Sequence, residues 1–219
     1  MNRLISSLAL LLMMLQGNAQ LSSVKSLKDV KKDDNCYDAV KNLVEKYGVL
    51  GTEEIRRGNK FLPNDPITHR SFAIVLVKAM DKVQEKFNKL DGKKPQSTKD
   101  SLLAIFIKKN FKGYSDSAVK NTEGYAQYKD VNNDDPDHES IKRLTNEYRL
   151  KLGDNFDTFN PERAMTDKEL SKIFAEYFGM RSLVPRAANT PSTRGRWAGY
   201  MDALLEHLND AATDLITSL

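Results

Sequence analysis

The stretch Phe61-Leu62-Pro63-Asn64-Asp65-Pro66-Ile67-Thr68-His69-Arg70-Ser71-Phe72-Ala73 decides the fold of this chain. It spells an extended loop followed by a capped helix start. Pro66 keeps the residue before it extended, so the helix begins after the proline and not across it. Thr68 is placed as an N-cap whose hydroxyl accepts an orphan N–H of the first turn. The same unit returns with a constant offset as Phe159-Asn160-Pro161-Glu162-Arg163-Ala164-Met165-Thr166-Asp167-Lys168-Glu169-Leu170-Ser171. There Glu169 completes a capping box with Thr166, and Ser71 is the weaker substitute in the first copy. The second half of the unit returns once more as Asn189-Thr190-Pro191-Ser192-Thr193-Arg194-Gly195-Arg196-Trp197-Ala198. Repetition at this scale predicts an architecture of repeats.

Working outward, the spacing predicts six helices and only short extended pieces. Tyr37, Val40, Leu43, Val44 and Tyr47 share a helical face over residues 37–47, which Gly48 terminates. A second helix runs over 68–88 with Phe72, Val75, Leu76 and Ala79 on one side. A third starts at Thr98 and ends at Phe111; it is apolar on every side, which predicts deep burial. After an irregular loop over 113–125 the cycle restarts at Tyr128-Lys129-Asp130-Val131. Pro136 is placed at the first position of a helix carrying Ile141, Leu144 and Tyr148. The Thr166 helix carries Leu170, Ile173, Phe174 and Phe178. Residues 181–189 read as a linker, and the Thr193 helix carries Trp197, Tyr200, Met201, Leu204 and Leu205.

Residues 1–19 read as a secretory signal peptide, with Arg3 ahead of an apolar run over 4–15 and small residues Gly17 and Ala19 at the cleavage site. That run is too short to span roughly 30 Å of hydrocarbon. The single cysteine, Cys36, cannot form an internal disulfide and reads as a small buried hydrophobe. The net charge of +4 is spread over well-mixed acids and bases, without the concentrated basic face of a nucleic-acid binder. The three histidines, His69, His138 and His207, lack zinc-ligand spacing. The run from Asp130 to Asp134 opens like a calcium loop, but Asp135 stands where glycine is needed and Ile141 where the bidentate glutamate belongs. Glu53-Glu54 reads as a solvated turn. No nucleophile motif or phosphate loop is present, so the chain reads as non-enzymatic with no cofactor and no metal.

These elements together resemble the S-layer homology (SLH) module. Two copies are readable, over 27–83 and 128–180, through Asp-Val, the first helix, the Phe-x-Pro loop and the threonine-capped second helix. The domain organisation that follows is residues 24–90 as a first repeat, 91–127 as a linker with an apolar helix, 128–181 as a second repeat, and 182–219 as a C-terminal helix resembling the end of a third. The resemblance implies an all-α fold of helix-loop-helix modules packed as a pseudo-threefold bundle. It also implies an exported protein of the periplasm or cell surface that binds cell-wall or envelope glycan through grooves between modules. The family's arginine follows the motif threonine, and here His69, Asp167 and Arg194 hold that place. The candidate ligand-binding set is therefore Arg194, His69 and Asp167, with Arg70 and Lys168 one position further and Trp197 as a sugar-stacking ring. Arg194 at a helix N-terminus is expected to clamp an anion together with exposed N–H groups. The partner is envelope polysaccharide or, in the alternative reading, envelope protein on a scaffold that has lost its glycan site.

Overall fold

The computed structural model describes residues 21, 23–51, 55, 58–88, 102–111, 128–148, 150, 152, 157–183 and 188–218. The signal peptide over 1–19, Glu53-Glu54, the Thr98 helix start and the loop over 113–125 lie outside the described residues.

The described chain is all-α. Its helices are α1 (Tyr37–Lys41, continued by a π turn, Asn42–Lys46), α2 (His69–Asn88), α3 (Leu102–Asn110), α4 (His138–Asn146), α5 (Asp167–Lys172, continued by a π turn, Ile173–Tyr177) and α6 (Arg194–Thr217). No helix among the described residues is long and apolar enough to cross a membrane. Short 3-10 turns cover Val24–Ser26 and Arg181–Leu183, the latter inside the expected linker.

The predicted caps are present. Thr166 and Glu169 form a reciprocal capping box: the Glu169 N–H donates to the threonine hydroxyl, and the Thr166 N–H donates to the carboxylate at 2.8 Å. Thr193 accepts from the Arg196 N–H, and Thr68 from the Ser71 N–H, both at 3.3 Å. Pro136 departs from expectation. It lies in a turn closed by His138 N–H donating to the Asp135 carbonyl, and the helix starts only at His138, with Asp137 in the cap position.

The aspartate of each Asp-Val pair has a structural task. Asp29 accepts the N–H groups of Phe61 and Leu62, each at 2.8 Å, one on each carboxylate oxygen. Asp130 does the same for Phe159 (2.8 Å) and Asn160 (2.6 Å). This grip holds Leu62 and Asn160 in the left-handed region, at φ of 56° and 54°. A leucine there is strained by roughly 1–2 kcal/mol, and charge-assisted hydrogen bonds of about that worth each offset it. The start of the apparent calcium loop is thus a loop clamp.

One core serves all the helices. α2 packs against α3, α4 and α6, and α6 also packs against α1 and α3. α2 is buried nearly all round in its first half, through Phe72, Ala73, Val75, Leu76, Val77, Ala79 and Met80. Trp197, Met201, Leu204 and Leu208 extend the core along α6. α3 is less deeply set than its composition suggested: Phe106, Ile107 and Phe111 are buried, but Lys108 and Lys109 are exposed. Phe106 meets Phe87 at a ring-centroid distance of 5.4 Å, and Phe111, just past the helix end, meets Tyr177 and Phe178 at 5.4 and 5.1 Å. Polar ties cross between helices as well. The Arg143 guanidinium forks onto the two oxygens of Asp81 at 3.1 and 2.6 Å, joining α4 to α2. Lys86 donates to Asn209, joining α2 to α6.

The starts of α2, α5 and α6 meet. Ile67 N–H donates to Ser192 O (3.0 Å), Ser192 N–H to Met165 O (2.8 Å), and Met165 N–H to Ile67 O (2.8 Å). These residues directly precede Thr68, Thr166 and Thr193, so three loops far apart in sequence close a ring of backbone hydrogen bonds. Isolated antiparallel bridges accompany it at Pro66–Thr193, Thr68–Ala164 and Thr166–Pro191.

Candidate functional site

Each helix start borrows its first hydrogen-bond acceptors from a neighbouring loop. In α2 the N–H groups of His69 and Arg70 donate to Arg163 O (3.1 Å) and Pro161 O (3.0 Å). In α5 those of Asp167 and Lys168 donate to Thr190 O and Ala188 O, both at 3.0 Å. In α6 those of Arg194 and Gly195 donate to Asp65 O and Pro63 O, both at 2.8 Å. The orphan N–H groups of a helix terminus, which ordinarily make an anion site, are already used in all three places.

The residues following the three threonines are likewise turned inward. His69, Asp167 and Arg194 are 1 %, 2 % and 4 % exposed. His69 Nδ1 lies 2.7 Å from Phe159 O and Nε2 lies 2.9 Å from Arg163 Nη2. The tautomer with the proton on Nδ1 satisfies both contacts. Arg194 makes the matching contact in its own place: Nε donates to Phe61 O at 2.7 Å, and the guanidinium carbon sits 4.9 Å from the centre of the Phe61 ring. Asp167 Oδ2 takes Arg196. The expected anion clamp at Arg194 therefore meets a physical obstacle, because its guanidinium and the nearby N–H groups hold loops together. Trp197 is fully buried, so it is a core ring and not a stacking platform, while half-buried Tyr200 packs beside Phe174 at 5.7 Å.

A further residue in this junction is Glu169. Burial alone raises its carboxyl, but hydrogen bonding outweighs burial and holds it at about 2. Contacts with His69, the Thr166 N–H, Arg163 and the Thr166 hydroxyl act in that direction. His69 Nε2 is 3.8 Å away, beyond hydrogen-bond reach, so the direct contacts from Arg163 and Thr166 carry most of the effect.

The second positions after the threonines differ most. Lys168, at the start of α5, is exposed. Arg70, in α2, is caged: Nη1 and Nη2 reach the two oxygens of Asp135 at 2.8 and 3.1 Å, Nη1 also meets Asp137, and Nε donates to Glu162 at 2.7 Å. Asp135 foremost, with Asp137 and Glu162, pushes Arg70 above its ordinary range, and Arg70 in turn lowers the Asp135 carboxyl. The corresponding place in α6 is Gly195. A groove of about 540 Å3 lies beside it, lined by Asp34, Asn35, Cys36, Pro63, Asn64, Thr193, Gly195, Arg196 and Gly199. The backbone turns leading into α1 and α4 match: Asp34 and Asp135 each donate N–H to the residue three back and accept, through their carbonyls, from Tyr37 and His138. Asp34 thus stands where Asp135 stands, Cys36 where Asp137 stands, and Asn64 where Glu162 stands. Cys36 is half-buried on the groove wall, not deep in the core, and burial first, then Asp34, raises its thiol.

None of these groove residues emerged as a site from sequence. The signal was present in the difference between Arg70 and Gly195 at one repeat position, and in the pairing of Gly195 with Gly199 one helical turn on. Among the described residues no three or more His, Cys, Asp and Glu side chains gather as a metal site. Comparison with protein-family models, with curated proteins and with solved structures finds no match for this chain.

Proposed function

We propose that this chain is a non-catalytic binding module of SLH type that works at the cell envelope, its three helix starts arranged about a pseudo-threefold axis. The observation that carries the reading is the closed ring Ile67→Ser192→Met165→Ile67, with each helix start capped by the loop of another repeat unit. Matching aspartate clamps at Asp29 and Asp130 add to it. The ligand's place is the groove beside Gly195, which is polar, shallow and floored by glycines. In the first reading the ligand is an envelope glycan, held by hydrogen bonds from Asn35, Asn64 and Thr193. A second reading, an envelope protein as partner, is favoured by the burial of Arg194 and the use of the helix N–H groups elsewhere.

The test is co-sedimentation of the purified protein with envelope material. Saturable binding at low salt that Gly199→Arg abolishes is the expected result. Lack of binding by the wild-type protein at low salt overturns the proposal. Gly199 is the better probe because a side chain added there meets nothing within 4 Å.

A further inference from the structure

We propose that the groove beside Gly195 receives the guanidinium of an arginine side chain offered by a protein partner, as the corresponding place in α2 receives Arg70. The inference rests on the reading of the chain as a binding module and selects a protein as its ligand.

The molecule contains its own picture of the occupant. At the start of α2 an arginine on the helix fills the angle between a loop and the turn before α4, with Asp135 gripping both terminal nitrogens and Glu162 taking Nε. At the start of α6 the backbone is built the same way, with Gly195 N–H on Pro63 O as Arg70 N–H is on Pro161 O. The helix contributes no side chain at Gly195, and the angle remains a groove. What that groove presents suits a cation. Asp34 lines it and forms no ion pair among the described residues, its Oδ2 accepting the Lys31 N–H at 2.7 Å. Arg196 on the rim is committed to Asp167. The N–H groups of Arg194 and Gly195, which would favour an anion, are bound to Asp65 and Pro63. Burial foremost, with Asp34 and Asp29 adding to it, raises the Cys36 thiol on the same wall.

Arginine fits better than lysine because its planar fork meets a carboxylate side-on and still offers N–H groups to the amide oxygens of Asn35 and Asn64. One carboxylate in place of three also matches a reversible visitor. Arg70 is tied permanently by Asp135, Asp137 and Glu162, whereas Asp34 alone leaves the guest free to depart.

The experiment follows the backbone amides of Gly195 and Gly199 by NMR while acetyl-Gly-Arg-Gly-amide is titrated in. Saturable shifts are expected, with binding about tenfold weaker for the citrulline peptide, which keeps the shape and loses the charge. Asp34→Asn should weaken the arginine peptide by about the same factor. Gly195→Arg should occupy its own groove and abolish binding. Should that variant fail to fold, Gly199→Arg blocks the same opening. Equal binding of the citrulline and arginine peptides, or no shift at Gly195 and Gly199 with the arginine peptide, overturns the inference. Shifts at these amides with a galacturonate oligomer and none with the arginine peptide would overturn it too, while leaving envelope binding standing. Failure of the wild-type protein to bind envelope material falls on the broader reading alone, since the peptide titration is judged independently.

Discussion

Arg70 and Gly195 occupy the same place in two helix starts, and each shows what the other lacks. Around Arg70 the junction is a charged lock: three carboxylates from α4's entry turn and the loop at 162 close on one guanidinium. Around Gly195 the same backbone frames a groove. The scaffold is therefore maintained by backbone hydrogen bonds and aspartate clamps, which both places share. Side-chain chemistry at the second helical position is a separate variable, and it can be devoted to holding the molecule together or left for a guest.

The sharpest way to break that comparison is to remove the lock. Arg70→Ala should destabilise the protein by about 3 kcal/mol in denaturant titration, since it strands partly buried carboxylates. Asp135→Asn should cost about 2 kcal/mol, and its counterpart Asp34→Asn about 0.5 kcal/mol. Equal costs for the two aspartates would contradict the assignment of one place as lock and the other as groove.

Acid should act unevenly as well. Glu169 is held at about 2, below its ordinary 4.5. A carboxyl lowered on folding contributes stability that is present above pH 4.5 and lost as the pH falls towards 2. For Glu169 the loss is at most about 3 kcal/mol, and Asp135, lowered in the same direction by Arg70, adds to it. Hydrogen exchange should show opening first around the α2 and α5 starts as pH drops, while the α6 start, which has neither carboxyl, stays protected longer. Uniform acid opening of all three starts would count against this account.

The caps offer a finer comparison. Thr166→Ala breaks a reciprocal box and should cost about 1.5 kcal/mol in thermal melts, against about 0.7 for Thr193→Ala, which loses one hydrogen bond of 3.3 Å. Smallest is the difference between the two groove glycines. Gly199→Ala should stabilise α6 by about 0.5–1 kcal/mol, because it meets open space within a helix. Gly195→Ala should show no such gain, its Cβ lying 3.1 Å from Pro63 O.

Much of the fold was legible because its signals are local. Thr68, Thr166 and Thr193 announce helix starts through hydrogen-bond chemistry confined to one turn. The apolar periods of α2 and α6 likewise need no knowledge of partners. What escaped was relational. Nothing near Arg194 in sequence tells that Phe61, more than a hundred positions earlier, will cover its guanidinium. Asp29 and Asp130 show no clamping task until the loops they hold are brought beside them. The groove was hidden for the same reason: its walls come from the entry to α1, the Phe61 loop and the start of α6, and only folding makes neighbours of Asp34, Asn64 and Gly195. Pro136 illustrates a milder failure, where a residue suited to a helix's first position was used in the preceding turn.

The ring through Ile67, Met165 and Ser192 has a consequence for the timing of synthesis. Each member both gives and receives one hydrogen bond, so a ring lacking one segment leaves a donor and an acceptor stranded in the other two. Ser192 is the last of the three in chain order. A nascent polypeptide can form α1, α2 and α4, yet it cannot close the junction until Ser192 has joined Ile67 and Met165. The junction is therefore complete only once the segment through Ser192 is present, and truncation after residue 190 should yield helices without a settled junction.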